Sequence, residues 1–382
     1  MRVTMLVRCL AMMRGGGETR HLAWARELTA LGVDVHVVTG RPLFAAPRHA
    51  VEPPAATVIR SPYARDFVYR FQQRRGFGRL TMTALHLDEE WFCRAAWRAI
   101  AAAPPDVVHA HALHQAARLR VGSVPVVINL PGAPNPRYRE DLLLADALVA
   151  DGWAADHLPP QIGRSIERVP KGVDAQRFRP DGPSMRQAFG LDGKRVVLTV
   201  ARLVPIKNVA LLIDAVATLA QRLPGLHLLV VGDGPEGRAL KQRAARLGIA
   251  GAVTFAGAVP FEDTPMFYRS ADVFALTSSF DNSPNVALEA MATGLPIVAT
   301  DAGGVREFVA HHDAGEIVAN ADARSFADAL ERYLAPEAAA AARDCNRRKA
   351  TTTFSWRASA LRLLDVYQRV VAKRHGVDRV SA

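Results

Sequence analysis

The sequence predicts an α/β protein of two domains, each built on a parallel sheet with helices on its faces. Three observations carry this. Short apolar runs that read as buried strands alternate with helical stretches, the pattern of parallel sheets. The second half then restarts the pattern of the first. Val3–Val7 is followed by Gly15–Gly17 and a helix from about His21; Val196–Val200 is followed by a loop and a helix from Asn208. Finally, 382 residues with 49% hydrophobic content suffice for two cores of ordinary domain size.

Taken in order, the first half reads as strand Val3–Val7, the loop Arg14-Gly15-Gly16-Gly17-Glu18, and a helix through Leu22 and Leu28. A glycine loop between strand and helix presents backbone N–H groups to a phosphate. It lacks both GxGxxG and a P-loop lysine, so a plain tight turn is the other reading. Val33–Thr39 is the next strand. Asp106–His111 is another, with His109 and His111 pointing the same way at its carboxyl end, where open α/β sheets bind ligands. A metal site there needs a third ligand, and none is evident, so no metal is expected. Pro125–Ile128, Asp146–Ala150 and Ile166–Val169 complete the half.

In the second half, Asp181–Lys194, with Gly182, Pro183 and Gly190, reads as the interdomain linker. Arg202 and Lys207 lie in the loop after strand Val196–Val200. Two cations so placed repel unless an anion sits between them, and a diphosphate fits, with arginine bidentate and lysine a point charge; a solvated loop is the alternative. Leu226–Val231 ends in Gly232-Asp233-Gly234, and Val253–Ala256 ends in Gly257.

Ser278–Glu307 is the most informative stretch. Strand Val273–Leu276 leads to a helix start at Ser283-Pro284, read as serine at the N-cap and proline at the first helical position. Glu289 is the only charge in a helix otherwise apolar on every face, so it must be hydrogen-bonded or paired, and polyol hydroxyls suit it. Asp281 precedes it by eight residues, and the backbone of Asn282–Asn285 is a ready anion site. A buried salt bridge with a capping loop is the alternative. The chain closes with an alanine-rich helix at Glu337–Arg343 and a last helix at about Arg357–Lys373.

Composition narrows the partners. A net charge of +11 favours nucleotides, phosphorylated substrates, anionic lipid or nucleic acid; no nucleic-acid-binding module is recognisable, so nucleic acid is not expected. Arg60–Arg79 holds six arginines interleaved with aromatic residues such as Tyr63 and Phe67. It reads as a surface element touching an acidic acceptor or an anionic membrane face, or as a solvated face with its aromatics in the core. Cys9, Cys93 and Cys345 are isolated, which predicts reduced thiols in a cytoplasmic protein, peripheral at most to the inner membrane face. Arg8 interrupts the apolar start, so residues 1–17 read as strand and loop rather than a leader. No apolar run reaches the ~18 residues of a spanning helix.

In this order the motifs resemble the retaining glycosyltransferases of family 4, of GT-B fold (glycosyl transferases group 1). Gly15–Gly17, DVVHAH, VPKGVD…FRP, VARLVPIKN, VVGDGP, VTFAG and Asp281…Glu289 followed by EAMATGLPIVATDAGG carry the resemblance. It implies two facing Rossmann-like domains: an acceptor-side domain over 1–178, a donor-binding domain over 179–356, and a C-terminal helix, 357–382, crossing back to the first. It implies that Glu289 binds the nucleotide's ribose. Arg202 and Lys207 hold the diphosphate, and Asp281 with the backbone of Asn282, Ser283, Pro284, Asn285 and Val286 holds the donor sugar. Gly16 and Gly17 approach the phosphates, Gly232 lies against the nucleoside, and His111 lines the acceptor side. The implied reaction moves a hexose-type sugar from a nucleoside-diphosphate sugar, the co-substrate, to a glycan, lipid or small-molecule acceptor, with neither metal nor cofactor. Three positions depart from the family: Asp281 stands for the usual glutamate, Lys171 for asparagine, and Pro131 where many members carry a histidine. Those departures keep two other readings open, a non-catalytic nucleotide-sugar-binding subunit and a nucleotide-sugar epimerase.

Overall fold

The computed structural model describes residues 1–12, 15–43, 55–62, 78–309, 314–319 and 322–380. It divides into two compact units, Met1–Pro170 with Ser359–Ala382, and Lys171–Ala358.

Unit 1 runs β1 (Arg2–Leu6), α1 (Gly16–Ala30), β2 (Asp34–Pro42), β3 (Ala56–Ser61), α2 (Gly78–Ile100), β4 (Val107–His111), β5 (Val126–Leu130), α3 (Arg139–Leu143), β6 (Ala147–Ala150), α4 (Gly152–Ile162) and β7 (Glu167–Arg168). The seven strands are parallel, in the order β3-β2-β1-β4-β5-β6-β7. β1 therefore has β2 on one side and β4 on the other, and the winding direction reverses between β1 and β4. The buried run at β5, and that at β4 up to Ala110, suit strands covered on both faces. Leu6, Val108, Ile128 and Leu148 join Phe92, Trp97 and Leu158 in one core.

Unit 2 repeats the plan: β8 (Arg195–Val200), α5 (Val209–Ala220), β9 (Leu226–Val231), α6 (Gly237–Arg246), β10 (Val253–Gly257), α7 (Thr264–Tyr268), β11 (Val273–Leu276), α8 (Asn285–Ala292), β12 (Ile297–Thr300), α9 (Arg306–Val309), β13 (Gly315–Val318), α10 (Ala323–Leu334) and α11 (Pro336–Thr351). Its six parallel strands lie in the order β10-β9-β8-β11-β12-β13, so the reversal falls between β8 and β11. Alternation along β8 feeds two cores: Val196 and Leu198 face one layer of helices and Val197 the other. The last helix, α12 (Trp356–Val380), begins in unit 2 and from Ser359 belongs to unit 1. There the Trp24 indole N–H donates to Ser359 Oγ at 2.7 Å.

Two expectations need correction. Asp181–Lys194 is not a free linker, because it belongs to unit 2, where Arg186 binds Asp272 at 2.7 Å and Met185 N–H donates to Ser270 Oγ at 2.7 Å. Ser283 is not the N-cap of α8. The helix starts one residue later, with Pro284 in the cap position at ψ 114° and no side-chain cap. Ser283 Oγ is instead buried with no hydrogen-bond partner among the described residues. Of the arginine-rich stretch, Arg60 and Ser61 end β3 and residues 78–79 open α2, while 63–77 lie outside the described residues. All three cysteines are buried thiols. No described helix is long and apolar enough to cross a membrane.

Candidate functional site

Parallel strands place every following loop at one edge of the sheet, and ligands bind where the winding reverses. In unit 2 that edge collects the loops after β8 (Arg202, Lys207), β9 (Gly232) and β11 (Asp281 to Glu289).

The β8 and β9 loops are zipped together. Ala201 N–H donates to Val231 O, and Leu203 N–H to Asp233 O, both at 2.9 Å. Gly232 makes this approach feasible: its φ is +125°, and an added Cβ would lie 1.9 Å from Ala201 O. Between these loops, α6 and β10 lies a cavity of about 390 Å³ lined by Gly232, Gly234, Arg238, Lys241, Phe255 and Gly257. Among the sequence-predicted site residues, only Gly232 lines it.

Across the reversal point, Lys207 Nζ lies 2.9 Å and 2.7 Å from the two oxygens of Asp281, with both side chains about four-fifths buried. Backbone pairing fixes both partners. Ser279 N–H donates to Ile206 O beside Lys207. Asp281 N–H donates to Ala302 O, and Gly304 N–H returns to Asp281 O. The lysine and aspartate assigned from sequence to diphosphate and sugar are therefore one ion pair. Arg202 is exposed, two residues past β8, and makes no side-chain hydrogen bond among the described residues. Lys171 Nζ donates to Ser283 O at 2.6 Å, so this departure from the family pattern holds the loop that carries Asn282–Val286.

Glu289 sits on α8, and the Tyr268 hydroxyl donates to its Oε2 at 2.7 Å. Burial pushes the carboxyl up to about 7, against the pull of the Tyr268 hydrogen bond, which favours the ionised form. Sequence reasoning found the isolated acid but not its partner. Tyr268 lies 21 residues upstream in a five-residue helix, too short to show a period.

In unit 1 the reversal point brings the glycine loop against β4. An added Cβ at Gly17 would lie 2.3 Å from His111 Nε2, so glycine there admits the imidazole, and Gly16 opens α1 beside it. His111 Nδ1 is 3.0 Å from Asn129 Oδ1, an acceptor, and therefore carries a proton. His109 and His111 both pack on His21, a third histidine that sequence reasoning missed, with ring centroids 5.1 and 4.3 Å away, and His109 joins it in a buried chain. His21 Nδ1–H donates to Gly17 O at 2.7 Å, so His21 Nε2 accepts from His109 Nε2–H at 3.1 Å and His109 Nδ1 accepts from the Tyr367 hydroxyl at 2.8 Å. Both rings are thereby neutral. Burial pushes His109 down to about 3, and His21 lies well below its usual value for the same reason, helped by His111 and His109. No group of three or more His, Cys, Asp or Glu suited to a metal ion occurs among the described residues. Pro131 lies on a separate cavity of about 340 Å³ within unit 1.

Residues 182–350 match the family model of glycosyl transferases group 1. The chain is 35% identical over 213 residues to the GDP-mannose-dependent alpha-(1-6)-phosphatidylinositol monomannoside mannosyltransferase of Mycolicibacterium smegmatis, covering 53% of this chain and 56% of that protein. It is 34% identical over 263 residues to a D-inositol 3-phosphate glycosyltransferase of Saccharomonospora viridis, covering 64% and 61%. The chain thus spans between half and two thirds of the length of these relatives. Among solved structures, Anabaena HepE in complex with UDP matches with TM-score 0.72 at 21% identity, covering 97% of this chain and 100% of that one. Sucrose-phosphate synthase from Thermosynechococcus elongatus matches with TM-score 0.74 at 20% identity, covering 97% and 99%. The chain accordingly has the GT-B fold, and residues 182–350, within its second unit, are similar to the glycosyl transferases group 1 family.

Proposed function

We propose that this chain is a retaining glycosyltransferase that moves a hexose-type sugar from a nucleoside-diphosphate sugar to a hydroxyl of a glycan, lipid or small-molecule acceptor, with no metal taking part. The observation that carries this is the Lys207–Asp281 pair at the reversal point of unit 2, within the stretch that is similar to the group 1 family.

In this reading Lys207 and the exposed Arg202 bind the diphosphate. Asp281, ion-paired with Lys207, accepts hydrogen bonds from the donor sugar. The backbone of Asn282, Ser283, Pro284, Asn285 and Val286 lies against that sugar, braced by Lys171. Glu289, with one oxygen on Tyr268, offers the other to the ribose. Gly232 keeps the β9 loop low enough for a nucleoside to lie on it.

The anomeric C–O bond breaks with its electron pair going to the phosphate. The acceptor oxygen bonds to the same face of the oxocarbenium-like carbon, and its proton passes to the departing phosphate oxygen. Lys207 and Arg202 stabilise the charge that grows there; one such donor is worth about 10²–10³ in rate. Relatives are named for GDP-mannose and solved neighbours hold UDP, so GDP-mannose and UDP-glucose are the first donors to test. Purified chain is incubated with each donor, with and without acceptor. Released nucleoside diphosphate together with a glycoside of unchanged anomeric configuration supports the reading. An inverted product, a sugar epimer formed without acceptor, or no turnover of any donor refutes it.

A further inference from the structure

We propose that the outward side of α2 is a docking surface for an anionic lipid bilayer. The surface lies wholly within unit 1 and does not depend on the donor site. Helical spacing draws it. Leu80, Ala84, Leu87, Trp91, Arg94 and Arg98 follow one another by four, three, four, three and four residues, which keeps them on one side of an α-helix. Elsewhere on α2, Phe92, Cys93, Ala96, Trp97 and Ile100 are buried in the unit 1 core, and that packing fixes which side faces out. Leu80 is 67%, Leu87 59% and Trp91 53% exposed. They form a row about 16 Å long, at about 1.5 Å per residue. Single exposed leucines are ordinary, whereas a row of large apolar side chains marks an interaction site.

The row borders a cavity. Pro62, Ala84, Leu87 and Trp91 line a space of about 550 Å³ between α2 and the chain just past β3. Trp91 uses its one donor inside the protein: the indole N–H donates to Arg60 O at 3.3 Å, so the exposed part of the ring is apolar. The two carboxylates on the same wall are bound. Asp88 accepts from Ser61 Oγ–H at 2.6 Å and pairs with Arg8 at 3.1 Å, and Glu90 pairs with Arg94 at 2.7 Å.

Charge chooses the occupant. Beyond Trp91 the row continues as Arg94 and Arg98, both exposed, and Arg60 is exposed at the end of β3. Residues 63–77, outside the described residues, join Pro62 on the cavity wall to Gly78 at the start of α2. By sequence they carry four arginines, one aspartate and five aromatic side chains. Cations bordering exposed leucine and tryptophan suit a bilayer with anionic headgroups. The leucines and the indole enter the boundary between headgroups and acyl chains, and the guanidiniums reach the phosphates. A second copy of this chain fits less well, since a two-fold contact through α2 would bring two arginine-bearing surfaces together.

The test uses the full chain and two kinds of vesicle, phosphatidylcholine alone and an equal mixture of phosphatidylcholine and phosphatidylglycerol. Binding is read by flotation. Two double variants are compared. Leu80→Glu with Leu87→Glu spoils the apolar row at positions already open to water. Arg60→Gln with Arg98→Gln removes two exposed cations. The expected result is that wild type floats with the mixed vesicles and stays behind with phosphatidylcholine alone. Each double variant should lower affinity for the mixed vesicles about tenfold or more while keeping the wild-type unfolding midpoint. No flotation of wild type, or equal flotation with both kinds of vesicle, would overturn the assignment. So would unchanged affinity in the leucine variant, which would place binding on the arginine-rich stretch alone. A wild-type dimer that forms without lipid and is dissolved by the leucine variant would assign the surface to a second copy and overturn the bilayer as its occupant.

Discussion

Replacing Glu289 by glutamine should stabilise the unliganded protein and abolish nucleotide binding. The carboxyl is raised from its ordinary 4.5 to about 7 because burial disfavours its charge. The sign follows directly: a raised folded-state value means its contribution to stability is fully present below pH 4.5 and is lost as pH rises through about 7. At 1.36 kcal/mol per pH unit, the cost of the ionised carboxyl above pH 7 is about 3 kcal/mol. Glutamine keeps an acceptor for the Tyr268 hydroxyl, now 2.7 Å from Oε2, and carries no charge to bury. The assay is thermal unfolding of unit 2 at pH 5 and pH 8.5, with and without saturating nucleoside diphosphate. Without ligand, the variant should melt only slightly higher than wild type at pH 5 and several degrees higher at pH 8.5. The shift produced by nucleotide in wild type should vanish. Parallel pH profiles for the two proteins would refute the burial argument. A retained nucleotide shift in the variant would refute the assignment of Glu289 to the ribose.

Further outcomes follow from single contacts. Lys207→Ala and Arg202→Ala should each lower the turnover of bound donor by about 10²–10³. Arg202 is exposed and its variant should melt close to wild type, whereas Lys207→Ala leaves the mostly buried Asp281 unpaired and should melt lower. Near-normal turnover in both would remove their role at the diphosphate. Gly232→Ala should lower the midpoint of unit 2 by several degrees, because its φ is +125° and its Cβ would meet Ala201 O. An unshifted midpoint would show that the two loops separate at little cost. Unit 1 should lose stability as pH falls from about 6.5 towards 3, since His109 and His21 are held neutral in the folded protein and must take up protons on unfolding. Hydrogen exchange of β4 amides between pH 7 and pH 4 reads this, and flat protection would contradict it.

Much of this architecture was legible because parallel α/β folding repeats a local rule. A buried apolar run, a loop and a helix can be read within one window, and so can a lone charge such as Glu289 in an apolar helix. The partners of those groups were not legible, because they arrive through the sheet order. His21 and His109 meet across 88 positions only because α1 follows β1, the neighbour of β4. Glu89 and His114 meet because α2 packs under the loop after β4. Lys207 and Asp281 were both named from sequence, yet their pairing depends on β8 lying beside β11. The Ser283 reading failed for the opposite reason. Ser-Pro is a sound local cap signal, but Pro284 keeps an extended ψ of 114° here while the serine side chain turns into a buried position.

The central claim is that unit 2 holds a nucleoside diphosphate at the carboxyl ends of β8, β9 and β11. Calorimetric titration of GDP and of UDP into the full chain, repeated with Lys207→Ala and Glu289→Gln, tests it most directly. The account predicts that one nucleotide binds wild type with a measurable heat and that each variant weakens it at least tenfold. Binding of neither nucleotide, or equal affinity in all three proteins, would contradict it.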